Sequence, residues 1–401
     1  MKALLLTASV AAALTGAPDK DQPARKQADF TVTERTFKSL QTAQEALSKK
    51  EFARAQQTLD RLAQRRSLTE HERCLILQTQ AVLQVERTDY RGAIKTLREA
   101  LRRGALPSDT LLSMRFNLGQ LLLADEQLEA ARTELVRWDR EAPKPSGAAL
   151  YTVAAVHARL ERFGEALGYI NRALAAERRP RESWLQLKLA CLVKLDRPSR
   201  ALPVMLELVE LRPQDGGRWR QLSALYSQAG KHALAVATLE LAFARGLLER
   251  PPDVRLLAEN LAAVGVPDKA AQVLKRALVG DRMPRDVDTL MLQARCHLAA
   301  RDRSAARPVL RGAGRLSSDG RSELELARLE ARTRNWGASV KAASRALEKG
   351  GLPKPGQAHL MLGIARHRLG RDQEALSAFR SAARFSDASR AAKGWLRFLD
   401  R

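Results

Sequence analysis

A small residue returns along this chain at an almost constant interval, and that interval constrains the fold more than any other feature. Ala55, Ala93, Ala131, Ala166, Ala201, Ala235, Ala270, Ala306, Ser339 and Ala375 follow one another at separations of 38, 38, 35, 35, 34, 35, 36, 33 and 36 residues. An aromatic or turn-forming residue often stands three places before, as at Phe52, Tyr90 and Trp336, and an apolar residue four places after, as at Leu59, Leu97 and Phe379. A repeat of this length is one supersecondary unit that cannot bury its apolar face alone and stacks on copies of itself. Apolar residues make up 45% of the 401 positions but aromatics only 4%. Alanine and leucine therefore dominate the core, which favours packed helices over sheets.

The clearest copy begins at Gly216. Trp219, Leu222, Ser223 and Tyr226 are spaced for one face of a first helix, Gly230 closes it, and Ala235, Leu239 and Ala242 line a second. Another copy carries Leu362-Gly363, Gly370, Ala375, Phe379 and Ala382, and a third Leu118-Gly119, Ala131, Leu135 and Pro143. Small residues let two helices approach, and the larger ones fill the groove against the neighbouring copy. Prolines at 143, 180, 213 and 284 end second helices. This pattern resembles the tetratricopeptide helix–turn–helix repeat. The resemblance implies an all-α, right-handed superhelical solenoid of ten repeats over residues 36–389, without an internal boundary. A capping helix over 390–401 follows, with Trp395, Leu396, Phe398 and Leu399 on its apolar side.

Residues 1–17 read as an export signal. Lys2 gives the positive start, residues 3–14 the short apolar run, and Thr15-Gly16-Ala17 the small-residue cleavage box, so the mature chain is expected to begin between residues 14 and 18. The run is too short for a membrane helix, and no apolar stretch of spanning length follows it. Residues 18–35 are a polar lead-in.

Several longer stretches narrow the resemblance: EFARAQQTLDRL from Glu51, WLQLKLACL from Trp184, the segment Trp219–Leu248, AENLAAVGVPDKAAQVLKRAL from Ala258, and the segment Gly350–Ala382 followed by AAKGWLRFL. The turn at Gly265–Ala271 and the GGLPKPG link at Gly350–Gly356 are the most specific. In order and spelling they are similar to the periplasmic tetratricopeptide proteins that accompany TonB–ExbB–ExbD energy-transducing systems of Gram-negative bacteria. The resemblance covers roughly residues 37–399. It implies a periplasmic protein-binding scaffold, accessory to uptake of the iron–siderophore type, without catalytic residues or cofactors.

Motifs for enzymatic chemistry are missing. The chain has no GxxxxGK[ST], HExxH or GxSxG, and Gly312-Ala313-Gly314 lacks the third glycine of a dinucleotide turn. His359 and His367 lie two helical turns apart, too far for one metal ion. Cys74, Cys191 and Cys296 read as buried small hydrophobes. The carboxylate pairs Glu161/Glu165 and Glu323/Glu325 read as solvated helix faces beside arginines.

Sixty-nine Lys and Arg against 45 Asp and Glu leave a formal charge of +24. That charge and the repeat length are also compatible with an RNA-binding helical-repeat protein, and the repeats with a general envelope-assembly scaffold. Arginines spread over every repeat, together with the export signal, argue against nucleic acid. The candidate partner surface is the concave face lined by first helices: Phe116, Gln120, Tyr151, Arg220, Arg255, Met291, Arg295, Arg328, Arg332, His367 and Arg368. Arg220 and Arg255 share one repeat position in consecutive repeats, and Arg295 and Arg328 share another. Arginine forks match carboxylates bidentately, so the expected ligand is an extended, acidic segment of a cell-envelope protein, with components of the TonB system as candidates.

Overall fold

The computed structural model describes residues 30–177, 179 and 181–399. The proposed export signal and most of the lead-in lie outside the described residues, as does Pro180. Every regular element described is a helix. The chain divides into two compact units, up to Val204 and from Met205 onward. In the first, helix–turn–helix pairs are formed by α1 (Glu34–Ser48) and α2 (Phe52–Ala63), α3 (Glu70–Glu86) and α4 (Tyr90–Arg103), α5 (Ser108–Ala124) and α6 (Leu128–Glu141), and α7 (Gly147–Arg159) and α8 (Phe163–Ala176), followed by α9 (Glu182–Lys194). The division falls within α10 (Pro198–Leu211). The second unit pairs α11 (Gly216–Gln228) with α12 (His232–Ala244), α13 (Pro251–Ala263) with α14 (Pro267–Val279), α15 (Val287–Ala299) with α16 (Arg303–Leu316), α17 (Arg321–Arg332) with α18 (Trp336–Lys349), and α19 (Pro355–Arg368) with α20 (Asp372–Ala383). It ends on α21 (Ser389–Leu399).

The recurring small residue is the fourth residue of every second helix, and all ten copies are at most 1% exposed. Twelve positions earlier, on the first helix, stands its counterpart: Ala43, Ala81, Gly119, Ala154, Ser223, Ala258, Ala294, Ala327 and Gly363, with Leu189 the exception. The two positions face each other where the helices come closest. A methyl group on Gly119 would lie 2.5 Å from Leu135 Cγ, and one on Gly363 would lie 2.6 Å from Phe379 Cε1. Where serine replaces alanine, its buried hydroxyl needs an acceptor and finds the backbone opposite. Ser223 Oγ donates to the Ala235 carbonyl at 2.9 Å, and Ser339 Oγ donates to the Ala327 carbonyl at 2.9 Å.

The turns share one chemistry that the sequence only half shows. Each of the ten passes through a left-handed residue two places before the second helix: Gly230, Gly265 and Gly370 in three, but Lys50, Thr88, Glu126, Glu161, Asp196, Arg301 and Arg334 in the others. In each, the following amide reaches back to a carbonyl five residues earlier, as in Glu51 N to Ala46 O at 2.8 Å and Asn335 N to Glu330 O at 2.8 Å. This Schellman closure satisfies helix-end carbonyls. It offsets the roughly 1–2 kcal/mol that a left-handed conformation costs a residue with a Cβ.

The first repeat is fastened by a carboxylate. Thr69 caps α3 in a reciprocal capping box with Glu72. The Glu72 carboxylate also accepts bonds from the Thr33 amide at 3.0 Å and the Thr33 hydroxyl at 2.7 Å, ahead of α1. Burial pushes the Glu72 pKa up, but the bonds from Thr69, Thr33 and Thr36 outweigh it and hold the group at about 2. The ordinary value is about 4.3. A depressed carboxyl contributes stability that is complete above the unfolded value and is lost as pH falls through the folded one. The melting-temperature advantage of wild type over Glu72→Gln is therefore expected to be full at pH 7 and to shrink between about pH 4.3 and pH 2. An advantage that stays constant over that window would mean Glu72 does not carry the fastening as an ion.

At the far end, α21 lies against α19 and α20. Trp395 stacks on the fully buried Phe379 with ring centroids 5.3 Å apart, and Ala392 is buried. The apolar side read from the sequence is only partly covered: Trp395, Leu396 and Leu399 are half-buried, but Phe398 is 61% exposed.

Candidate functional site

Many of the arginines hold repeats to one another. Residues one period apart become neighbours when repeats stack, so acids and arginines 33 positions apart meet. Arg103 pairs with Glu70 at 2.7 Å, Arg162 with Glu129 at 3.2 Å, Arg172 with Asp139 at 2.8 Å and Arg220 with Asp253 at 2.9 Å; Arg159 bonds Glu126 in the same way. Exposed pairs of this kind contribute about 0–1 kcal/mol each. The carboxylates of Asp139 and Asp253 are largely buried, which makes those two firmer. The signal was present in the sequence as acid–arginine pairs one period apart, but it has meaning only once the register is known.

The carboxylates on α17 correct the reading of solvated faces. Glu323 is buried, with Arg345 Nε 3.2 Å from its Oε2. Glu330 is wholly buried and accepts bonds from Arg307 Nε at 2.9 Å and Asn335 Nδ2 at 3.1 Å, with Arg311 within 3.5 Å. Glu325 is paired with Arg328 as expected. The two buried groups brace the α16–α17–α18 packing.

The candidate surface residues do not act as one set. In the first unit, Phe116 packs its ring on Trp138 at 4.7 Å, Tyr151 stacks on Trp184 at 5.7 Å, and Gln120 is half-exposed. In the second, Arg220 is engaged by Asp253, Arg255 lies near enough to Asp286 to lower its pKa, and Arg332 is exposed at the end of α17. Asp286 is held down mainly by its N-cap bond from Thr289. His367 Nδ1 lies 2.6 Å from Asp372 and its ring meets Trp395 and Phe398, so it belongs to the cap. Arg368 lies over the Trp336 ring.

Three of the candidates do converge. Met291, Arg295 and Arg328 line one cavity of about 440 Å³ in the second unit. Its floor is apolar: Met291, Ala294 and Leu298 from α15, Leu310 from α16, Leu324 from α17, and Leu352 and Pro353 from the link before α19. Its polar groups are Arg295, Arg321, Glu325, Arg328, Lys354 and Gln357, four cations against one carboxylate. Arg328 is fixed by Glu325 at 2.6 Å and by Gln357 Oε1 at 2.5 Å, and Arg321 by Asp319 at 2.7 Å. Arg295 and Lys354 have no side-chain hydrogen bond or ion pair among the described residues. The volume lies in the range of small-ligand sites, and the apolar floor is ringed by these charged groups.

The wall formed by residues 350–354 depends on glycine. Gly350 and Gly351 take φ of +66° and +63°, where a Cβ is strained, and the Gly350 carbonyl accepts from the Gly320 amide at 2.8 Å. Lys349 adds bonds to the Ser317 carbonyl at 2.7 Å and to the Gly314 carbonyl. Sequence reasoning marked GGLPKPG as distinctive but missed Lys354, Arg321 and Gln357, because they lie on a link and at helix starts.

Cys74, Cys191 and Cys296 are buried, and burial raises each thiol pKa. Among the described residues no three His, Cys, Asp or Glu side chains gather as a metal would require, and no helix is long and apolar enough to cross a membrane.

The tetratricopeptide-repeat family model matches residues 79–144 and 324–390, one stretch in each unit. These two stretches are thus tetratricopeptide repeats, and with the helix pairs and the repeated small-residue contact they give the described residues the all-helical architecture of stacked tetratricopeptide-type helix pairs. Solved structures similar to parts of it include MamA (16% identity, 43% of this chain and 92% of that one, TM-score 0.36). A second is YrrB, described as a tetratricopeptide protein with an unusual peptide-binding site (15%, 45% and 89%, TM-score 0.37). A third is a tetratricopeptide repeat protein from Parabacteroides merdae (13%, 72% and 99%, TM-score 0.34). At these identities and scores nothing of what those proteins bind transfers to this chain. No curated protein matches it.

Proposed function

We propose that this protein is a non-enzymatic periplasmic scaffold that holds an acidic, extended segment of a cell-envelope protein against the first helices of its second unit. The observation that carries the binding reading is the cavity where Met291, Arg295 and Arg328 meet Lys354. The export-signal reading of residues 1–17 supports the location, and the stretches quoted above support an accessory role in a TonB-type uptake system.

The test reverses the two unengaged cations. Arg295→Glu with Lys354→Glu is compared with Arg276→Glu and Arg315→Glu, which are exposed on second helices. Arg345 is unsuitable as a control because it faces the buried Glu323. With periplasmic extract of the native host, wild type is expected to retain an envelope protein at about 50 mM salt and to release most of it at about 300 mM, since screening shortens the reach of exposed charges. The cavity pair is expected to lose at least about tenfold in affinity and the control pair less than about twofold. Equal losses would reduce the arginines to a solubilising surface, and a protein found in the cytosol with Met1 intact would remove the location.

A further inference from the structure

The cavity combines two features that select one kind of segment. Its floor is closed by leucines and by Met291, with no polar group required to satisfy a ligand there. Its two unengaged cations, Arg295 and Lys354, come from α15 and from the link before α19, so they approach from different repeats. Lining residues are drawn from the first helices of three successive repeats, so a ligand crosses the site instead of plugging it. In an extended peptide, side chains two residues apart project to the same side about 6–7 Å from one another, and adjacent ones project to opposite sides. We infer that the cavity takes one aliphatic side chain of an extended peptide while Arg295 and Lys354 take carboxylates two residues away from it. This rests on the scaffold reading above and adds the spacing of the recognised segment. Four cations against one carboxylate supply the charge complementarity. The fixed Arg328–Gln357 bond keeps the rim in place.

The chain has six methionines, and Met291 is the one on the cavity floor, so its methyl group reports occupancy directly. The probe is a capped peptide, acetyl-Gly-Glu-Ser-Leu-Ser-Glu-Gly-amide, titrated into full-length protein labelled with ¹³C at methionine methyls, with Met291→Leu assigning the signal. Saturable displacement of the Met291 signal is expected below about 1 mM peptide, with the Met114 signal unmoved. Replacing the leucine by serine, replacing both glutamates by glutamine, or moving the glutamates next to the leucine is expected to weaken binding about tenfold or more. Arg295→Ala with Lys354→Ala is expected to do the same while the other methionine signals hold their positions, which shows that the variant is folded. No displacement up to about 5 mM, or displacement that survives either the leucine change or the adjacent-glutamate change, overturns the inference. If Met291 stays silent while the extract experiment still depends on Arg295 and Lys354, the spacing inference fails and the scaffold reading stands. If both experiments fail, the cavity has no part in binding.

Discussion

Ala235→Arg is expected to unfold the repeat built from α11 and α12 while the helix pairs further along the second unit stay helical. Ala235 is 1% exposed, and its carbonyl accepts the buried Ser223 hydroxyl at 2.9 Å. An arginine there meets the first helix at its closest approach. Overpacking alone typically costs about 1–3 kcal/mol, and an unpaired buried cation adds several more. A repeat whose stability is mostly its own packing plus two interfaces does not survive that, whereas distant repeats couple only through neighbours. Limited proteolysis is expected to open new sites within residues 216–249, with far-ultraviolet circular dichroism losing only a minor share of its helical signal. Ala235→Gly leaves the contact intact and is expected to cost about 1 kcal/mol, the helix-propensity difference. An arginine variant as protease-resistant as wild type would place the register of the repeats elsewhere.

Gly320→Val is expected to damage both stability and the cavity. Gly320 has an ordinary negative φ, so no backbone preference demands glycine there. Space does: a Cβ would lie 2.0 Å from the Ala346 carbonyl oxygen and 2.7 Å from its carbon. These are backbone atoms of α18 and cannot swing away as a side-chain tip would. The start of α17 must move off α18, breaking the Gly320–Gly350 bond. The link that carries Leu352, Pro353 and Lys354 is tied to that bond and forms one wall of the cavity. A loss of about 3 kcal/mol or more is expected from urea unfolding, at the upper end of overpacking effects. Peptide affinity at the Met291 methyl is expected to fall in parallel under conditions where the variant remains folded. Ser322→Ala, two residues on, removes a buried hydroxyl that lacks a hydrogen-bond partner among the described residues and is expected to leave the cavity unchanged. A valine variant with wild-type stability would mean the approach of α17 to α18 is looser than this geometry.

The repeat itself was legible because close packing leaves a residue-level mark. Where two helices touch, small residues are favoured, and the second-helix position takes alanine or serine in all ten repeats at nearly constant spacing. The number of pairs and the closing helix followed from Ala55 through Ala375 and from Trp395. The site was less legible. Surface arginines look alike in sequence whether they tie repeats together, brace a buried acid or stand free, since each role depends on what lies one period away or on the neighbouring helix. Only the tertiary structure shows Arg220 engaged by Asp253, Glu330 enclosed by Arg307 and Asn335, and Arg295 left unengaged at the rim of the cavity. Lys354 was beyond any periodic reading, because its position is set by two left-handed glycines and a backbone bond to Gly320. Periodicity determined which residues are interior; the path of a short link decided which charges stand together.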